Sequence, residues 1–196
     1  MLRAENITFA YGGAKPIFSN FNFLAESGER LCISAPSGGG KTTLCNLLAG
    51  YLVPNAGSVT LSAKPLPKSG VCPVQLIGQH PELALNPNIR IQKSLAEVGG
   101  ITNNMLANCG VEKAWLSRFP LELSGGQLQR ICIARSLATN PRYLICDEIT
   151  TMLDAVTQAQ IWHMLLHYAQ ENNIGIVFTS HSAALIKRIA TRVVSL

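Results

Sequence analysis

Charged residues are scarce in this sequence, and the charge present does not cluster. Asp, Glu, Lys and Arg make up 14 % of 196 residues, against 47 % apolar. A chain this apolar is not intrinsically disordered, and it is long enough to bury a real core. No apolar run reaches the roughly 18 residues of a membrane span. The first residues, Met1-Leu2-Arg3-Ala4-Glu5-Asn6, lack the apolar stretch of a signal peptide, so a cytosolic protein is expected. Sixteen basic against eleven acidic residues give a net charge of +5, yet among the basic residues only Lys187 and Arg188 are adjacent. Nucleic-acid footprints cluster, so a mildly basic surface, or one that docks near anionic lipid, fits better. Low charge also leaves room for large protein–protein contacts. The six cysteines form no C-x-x-C pair and no Cys/His pair at zinc spacing. They read as reduced, small core hydrophobes. Internal repeats and low-complexity segments are absent.

What is present is a set of short apolar strands that end in polar, phosphate-suited loops. Residues 2–9 alternate enough for an edge strand, and Ile17 to Ala25 reads as a second strand. Leu31 to Ser34 is a short apolar strand of the kind buried on both faces of a parallel sheet. It runs into Ala35-Pro36-Ser37-Gly38-Gly39-Gly40-Lys41-Thr42-Thr43, a P-loop pattern with alanine where the first glycine is expected. Its glycines bare backbone N–H groups to wrap phosphates. Lys41 is placed to reach the β- and γ-phosphates, and Thr42 to ligate Mg²⁺. A helix follows to Ala49. Ser58 to Leu61 and Val74 to Ile77 are strands, with a proline-rich loop over 63–73.

Residues 82–122 change character. Short helices are expected at Ile91 to Val98 and Asn103 to Asn108, separated by glycines. Leu123-Ser124-Gly125-Gly126-Gln127 then precedes a helical pattern to Ala138. Serine before a helix is a natural N-cap. The free N–H groups and dipole of that helix start suit a phosphate. Tyr143 to Cys146 is an apolar strand delivering Asp147, suited to Mg²⁺, and Glu148, suited to act as base for an attacking water. A long helix at 155–171 follows, with Ile161, Leu165, Leu166 and Ala169 as its core face. Gly175 to Thr179 is another buried strand, then comes a helix at 183–190, and Arg192 to Leu196 is a last strand.

In order, Tyr11, the P-loop, Gln79, LSGGQ at 123–127, Asp147-Glu148, Asp154 and His181 make the chain resemble the nucleotide-binding subunit of an ATP-binding cassette (ABC) transporter. The resemblance spans essentially the whole chain. It implies an α/β fold: a P-loop NTPase with a RecA-like parallel sheet, an N-terminal antiparallel β-subdomain and a short helical subdomain at about 82–122, all in one domain, 1–196. It implies ATP and Mg²⁺ as ligands and a head-to-tail pair of subunits. In that pair each ATP lies between one P-loop (Ser37, Gly38, Gly39, Gly40, Lys41, Thr42, Thr43) and the partner's Ser124, Gly125, Gly126 and Gln127. Tyr11 resembles the adenine-stacking aromatic, Gln79 the Mg²⁺- and water-sensing glutamine, His181 the switch histidine that holds the γ-phosphate, and Asp154 the dimer-facing loop acid. Tyr11 also reads as a strand-end aromatic, and Asp154 as a cap on the following helix.

Gln79-His80-Pro81 and Leu85-Asn86-Pro87 resemble the corresponding run in peptide and nickel importer ATPases. That implies a homologous or identical second ATPase subunit, transmembrane permease subunits, an extracytoplasmic substrate-binding protein acting indirectly, and residence on the cytoplasmic face of the cell membrane. The helical segment is expected to present the groove for the membrane partner. Departures are Ile149 where the family usually has proline, Thr151-Met152 in place of Ser-Ala, and a short helical segment. The sequence also stops soon after the switch region, without the cysteine-bearing extension of some peptide importers, so no iron–sulfur cluster is expected. Glu148 is present, so a competent site is expected. An LSGGQ-bearing ATPase of DNA repair or chromosome structure is the alternative. Those chains carry coiled coils or zinc modules between the two motifs, whereas residues 44–122 here show neither. A ribosome-associated ABC protein would carry two cassettes.

Overall fold

Two sheets of different kinds account for all nine strands. A computed structural model describes residues 1–196, which divide into two compact units. The first comprises Met1–Leu76, Arg142–Asp147 and Asn173–Leu196; the second comprises Ile77–Pro141 and Glu148–Asn172.

In the first unit, β1 (Leu2–Phe9), β2 (Phe18–Ala25), β4 (Ala56–Leu61) and β5 (Lys64–Pro65) form an antiparallel sheet in the order β2-β1-β4-β5. The expected edge strand at 2–9 is therefore an inner strand: Leu2 faces Ala25 on one side and Leu61 on the other. Alternation reports which face is buried, not how many neighbours a strand has. The loop expected over 63–73 hides β5. Ser62 and Ala63, with φ of 51° and 62°, make a tight hairpin turn. Such turns normally advertise themselves with Asn or Gly, so Ser-Ala conceals this one.

The second sheet has the order β6-β7-β8-β3-β9, with β3 (Arg30–Ser34), β6 (Val74–Ile77), β7 (Tyr143–Asp147), β8 (Gly175–Thr179) and β9 (Arg192–Ser195). β7, β8, β3 and β9 pair in parallel. Every residue of β7 and β8 is buried, which explains their unbroken apolar runs. Helix α1 (Lys41–Leu48) packs on β7 and β1 through fully buried Leu44, Cys45, Leu47 and Leu48. Each such leucine contributes roughly 1.5–3 kcal/mol of burial. Tyr143, 1 % exposed, donates its hydroxyl hydrogen to Ala25 O at 3.0 Å and so ties β7 to β2. Helix α6 (Ala183–Ile189) leads into β9.

The second unit is helical. α2 (Ile91–Ala96) is two residues shorter than expected, and α3 (Asn103–Asn108) is capped by Thr102. α4 (Gly125–Ala138) packs against both and against a 3₁₀ turn at Pro81–Leu83. Arg130 donates to Cys109 O at 3.2 Å and to Gln160 Oε1 at 2.7 Å, and Arg135 to Ala84 O and Glu97 Oε2, both at 2.9 Å. Each guanidinium thus joins one backbone carbonyl and one side chain of the second unit to α4. α5 (Ala155–Glu171) buries Ile161, Leu165 and Ala169 as expected, but Trp162 takes the place assigned to Leu166, which is half-buried. No helix in the chain is long and apolar enough to cross a membrane.

The β7–β8 contact gives a test. A Cβ at position 175 would fall on the Tyr143 ring edge, 2.6 Å from Cδ1. Gly175→Ala is expected to destabilise the protein by ~1–3 kcal/mol through overpacking, read as a lower midpoint in urea denaturation.

Candidate functional site

The phosphate-suited loop begins where β3 ends, at Ser34. Ala35 and Pro36 lead into a turn in which Gly39 N donates to Pro36 O at 3.0 Å. Gly38 and Gly40 hold φ of 77° and 87°, a region that side chains rarely tolerate. Gly39 is required for space instead: its Cβ would lie 2.8 Å from the Ala35 methyl and 3.0 Å from Pro36 O. The alanine that departs from the usual P-loop is thus accommodated by the glycine opposite it. Helix α1 starts with Gly40 as N-cap, no side-chain cap and no acid in its first turn. Its first N–H groups and positive dipole end are therefore left for an anion.

Lys41, only 7 % exposed, folds back so that Nζ donates to Ala35 O at 3.1 Å and Pro36 O at 3.4 Å. The loop's own carbonyls hold the ammonium over the loop. Ser37 and Gly38 are exposed at the tip, and Thr42 is exposed beside the buried Thr43. Tyr11 stands on Phe9 edge-to-face at 4.8 Å, with its hydroxyl 3.4 Å from Thr43 Oγ1. At 51 % exposure its ring offers a face to a planar ligand near the helix start. It is both a strand-end aromatic and a neighbour of the phosphate loop.

Asp147 closes β7, 7 % exposed, and faces Thr179 at the end of β8 in register. Thr179 Oγ1 donates to Asp147 Oδ1 at 2.7 Å, a short charge-assisted bond that orients the carboxylate. Residue type alone gave no hint of this partner beyond a hydroxyl at the end of an apolar strand. Burial, then the Asp147 carboxylate and neighbouring Cys146, push the Cys45 thiol well above its usual range. Burial likewise lifts Cys32 to about 11 and both Cys109 and Cys132 to about 12. All six cysteines are free thiols, and these four are protonated packing groups at neutral pH. His181 is exposed two residues beyond β8, where Ser182 caps α6 by accepting from Leu185 N at 3.3 Å. Because β3, β8 and β7 are adjacent and parallel, the phosphate loop, His181 and Asp147 all leave the same sheet edge, the one where open α/β sheets bind ligands.

The second unit holds the other candidates. Ser124 caps α4 in a full capping box, Oγ accepting from Gln127 N at 3.3 Å and Gln127 Oε1 accepting from Ser124 N at 3.0 Å. Those bonds leave the N–H groups of Gly125 and Gly126 as the first two of the helix, without an intrahelical acceptor. Gly126 packs beside α5: a Cβ there would sit 3.2 Å from Thr157 Cγ2 and 3.6 Å from Leu153 Cδ2. Asp154 caps α5, accepting from Val156 N and Thr157 N at 3.0 Å each and from Thr157 Oγ1 at 2.6 Å. Those bonds, the Thr157 hydroxyl first, hold its carboxyl below the ordinary value. The LSGGQ start and Asp154 therefore share Thr157 as a neighbour. Gln79 is half-buried after β6, and the buried Gln129 donates to the preceding Gly78 O at 3.5 Å. Glu148 sits in the left-handed region, φ 51°, and the loop after it is fastened to α5 through Thr150 and Trp162.

Residues 18–151 match the family described as ABC transporter. The chain belongs to the ABC transporter family. It is 32 % identical over 209 aligned residues to the nickel import system ATP-binding protein NikE of Staphylococcus aureus (strain MSSA476), with all of this chain and 86 % of that protein covered. The same protein from strain USA300 matches to the same extent. Among solved structures, the dimeric post-hydrolysis state of the ATP-binding cassette MJ0796 bound to ADP and Pi superposes with a TM-score of 0.83 at 24 % identity, covering 100 % of this chain and 94 % of that one. CbiO1 from Clostridium perfringens, part of the ABC transporter complex cbiONQ, gives a TM-score of 0.82 at 23 % identity, covering 99 % of this chain and 83 % of that one. These two likenesses carry the fold: a P-loop NTPase cassette. As a member of the family, the chain is an ABC transporter ATP-binding subunit and an ATPase.

The loop geometry makes one variant pair informative. Gly39→Ala is expected to distort the loop and weaken nucleotide binding by about five- to hundredfold, since overpacking costs of ~1–3 kcal/mol are typical. Adding Ala35→Gly removes the closer of the two clashes and is expected to restore part of the affinity, measured by titration with a fluorescent ATP analogue.

Proposed function

We propose that this chain, as one ABC ATPase domain over 1–196, drives import across a cell membrane from the cytoplasmic face by pairing with a second ATPase subunit. One observation carries the pairing: α4 presents two unpartnered amide N–H groups behind a serine cap in a chain that already has its own phosphate loop. A second phosphate-suited helix start is explained by a second nucleotide, held by the neighbour. The partner is a copy or a homologue of this chain, and no nucleic acid is involved.

The roles follow from chemistry. Tyr11 stacks on adenine. The 37–43 loop wraps the phosphates, and Lys41 exchanges its carbonyl partners for β- and γ-phosphate oxygens. Asp147, Thr42 and Gln79 offer carboxylate, hydroxyl and amide oxygens, the hard donors that suit Mg²⁺. The orientation of the Asp147 carboxylate by Thr179 supports that fit. Bound Mg²⁺ supplies neutralisation of charge on the phosphate oxygens. Glu148 accepts a proton from water as the water oxygen bonds to the γ-phosphorus; the bond to the β–γ bridging oxygen breaks and leaves ADP and phosphate. His181 donates to the γ-phosphate. Ser124, Gly125, Gly126 and Gln127 bind the partner's γ-phosphate, and Asp154 faces the partner. Loss of that phosphate removes the bridge and lets the pair open.

Permease subunits carry the cargo, with an extracytoplasmic binding protein acting through them. Nickel, a metal–chelator complex or a peptide is the cargo class. The Gln79-His80-Pro81 and Leu85-Asn86-Pro87 runs and the likeness to nickel import ATP-binding proteins support it.

Glu148→Gln is expected to keep ATP affinity while phosphate release falls about 10²–10⁴-fold and a closed dimer accumulates on gel filtration; normal turnover would remove Glu148 from the role of base. Ser124→Arg is expected to leave nucleotide binding by the single subunit intact while abolishing both dimer and turnover. Unchanged closure and hydrolysis in that variant would refute the shared site.

A further inference from the structure

The segment Glu148–Leu153 is held in a way that neither the cap at Asp154 nor the turn itself requires. Glu148 has φ 51°, a conformation that costs a non-glycine residue energy and persists only where its surroundings over-determine it. Two overlapping turns shape the next five residues: Thr151 N donates to Glu148 O at 3.2 Å, and Leu153 N to Thr150 O at 3.2 Å. Ile149 and Thr150 are each 3 % exposed. Thr150 Oγ1 accepts two hydrogen bonds from α5, from Gln158 Nε2 at 2.9 Å and from Trp162 Nε1 at 3.1 Å. A hydroxyl oxygen has two lone pairs, and both are used. Gln158 Nε2 also lies 3.4 Å from Thr150 O. Gln158 and Trp162 are four residues apart, on one face of a 17-residue helix. Trp162 is itself 3 % exposed, so its indole N–H needs an acceptor, and Thr150 supplies it.

We propose that Thr150, Gln158 and Trp162 form a clamp that fixes the position of Glu148, with Gln158 and Trp162 as positioning residues for ATP hydrolysis. The backbone at 149 carries isoleucine, which leaves φ free where a proline ring would fix it. The clamp supplies the missing restraint by tying Thr150, two residues from the base, to a helix. The same helix is anchored at its start by Asp154, so the intervening residues are pinned at both ends. The proposal rests on Glu148 acting as the base.

The test compares variants of the whole protein. Thr150→Val keeps shape and removes the acceptor; Thr150→Ser keeps the acceptor; Trp162→Phe keeps an aromatic and removes the donor. Thr150→Val and Trp162→Phe are expected to lower kcat roughly ten- to hundredfold, the scale of a small misplacement of a reacting group. Affinity for the ATP analogue should stay within about twofold, since the 37–43 loop is untouched, and Thr150→Ser should restore kcat. The double variant should be little worse than Thr150→Val alone, because loss of the Thr150 hydroxyl already removes the bond from Trp162. Tryptophan emission should move to shorter wavelength in Thr150→Val, as the buried indole loses its partner. Turnover within twofold of the parent in both single variants, or an equal loss of affinity and kcat, would overturn the proposal. If Glu148→Gln also turned over normally, the base assignment would fail first; if Glu148→Gln were dead and Thr150→Val fully active, the clamp alone would fail.

Discussion

The parallel register of β3, β8 and β7 governs the chemistry of the first unit. Ile33 stands level with Thr179, and Thr179 level with Asp147. Three strands end on nearly the same rung, so three loops that carry or adjoin candidate residues start within one or two strand spacings, about 5–10 Å, of each other. None of the three needs a specific side-chain contact to find the others. The sheet does the placing, and it does so because its central strands are apolar on both faces. Cys32, Cys146 and Phe178, all fully buried, secure that register as much as any polar residue secures the site.

Polar contacts then refine what the register provides. Thr179 turns the Asp147 carboxylate, and the carbonyls of Ala35 and Pro36 hold the Lys41 ammonium. Each is a short-range bond between a residue on a strand or helix and a residue in or next to a loop. The second unit repeats the logic with caps. Ser124 and Asp154 each use a side-chain oxygen to cap a helix start.

Local patterns made much of this legible in advance. Strands β3, β7 and β8 announced themselves by apolar runs, α4 and α5 by their caps, and the phosphate loop by its glycines and lysine between a strand and a helix. What stayed hidden depended on partners distant in the chain. Alternation in Leu2–Phe9 could not show that β1 is flanked on both sides. Ser62-Ala63 lacks the residues that usually mark a hairpin. Trp162 was not among the residues expected on the core face of α5, and its indole partner lies twelve residues back; the bond from Thr179 to Asp147 spans thirty-two. The proline absent at 149 was visible; the side chains that compensate for it were not.

Gly125 and Gly126 stand side by side yet answer to different constraints. At 126 a methyl group would press on Thr157 from 3.2 Å, so a neighbour within the chain would have to give way. At 125 a methyl group would meet nothing within 4 Å. Nothing inside this polypeptide forbids alanine there. Any intolerance at 125 would therefore be imposed from outside, which turns a single hydrogen atom into a gauge of how closely another molecule approaches.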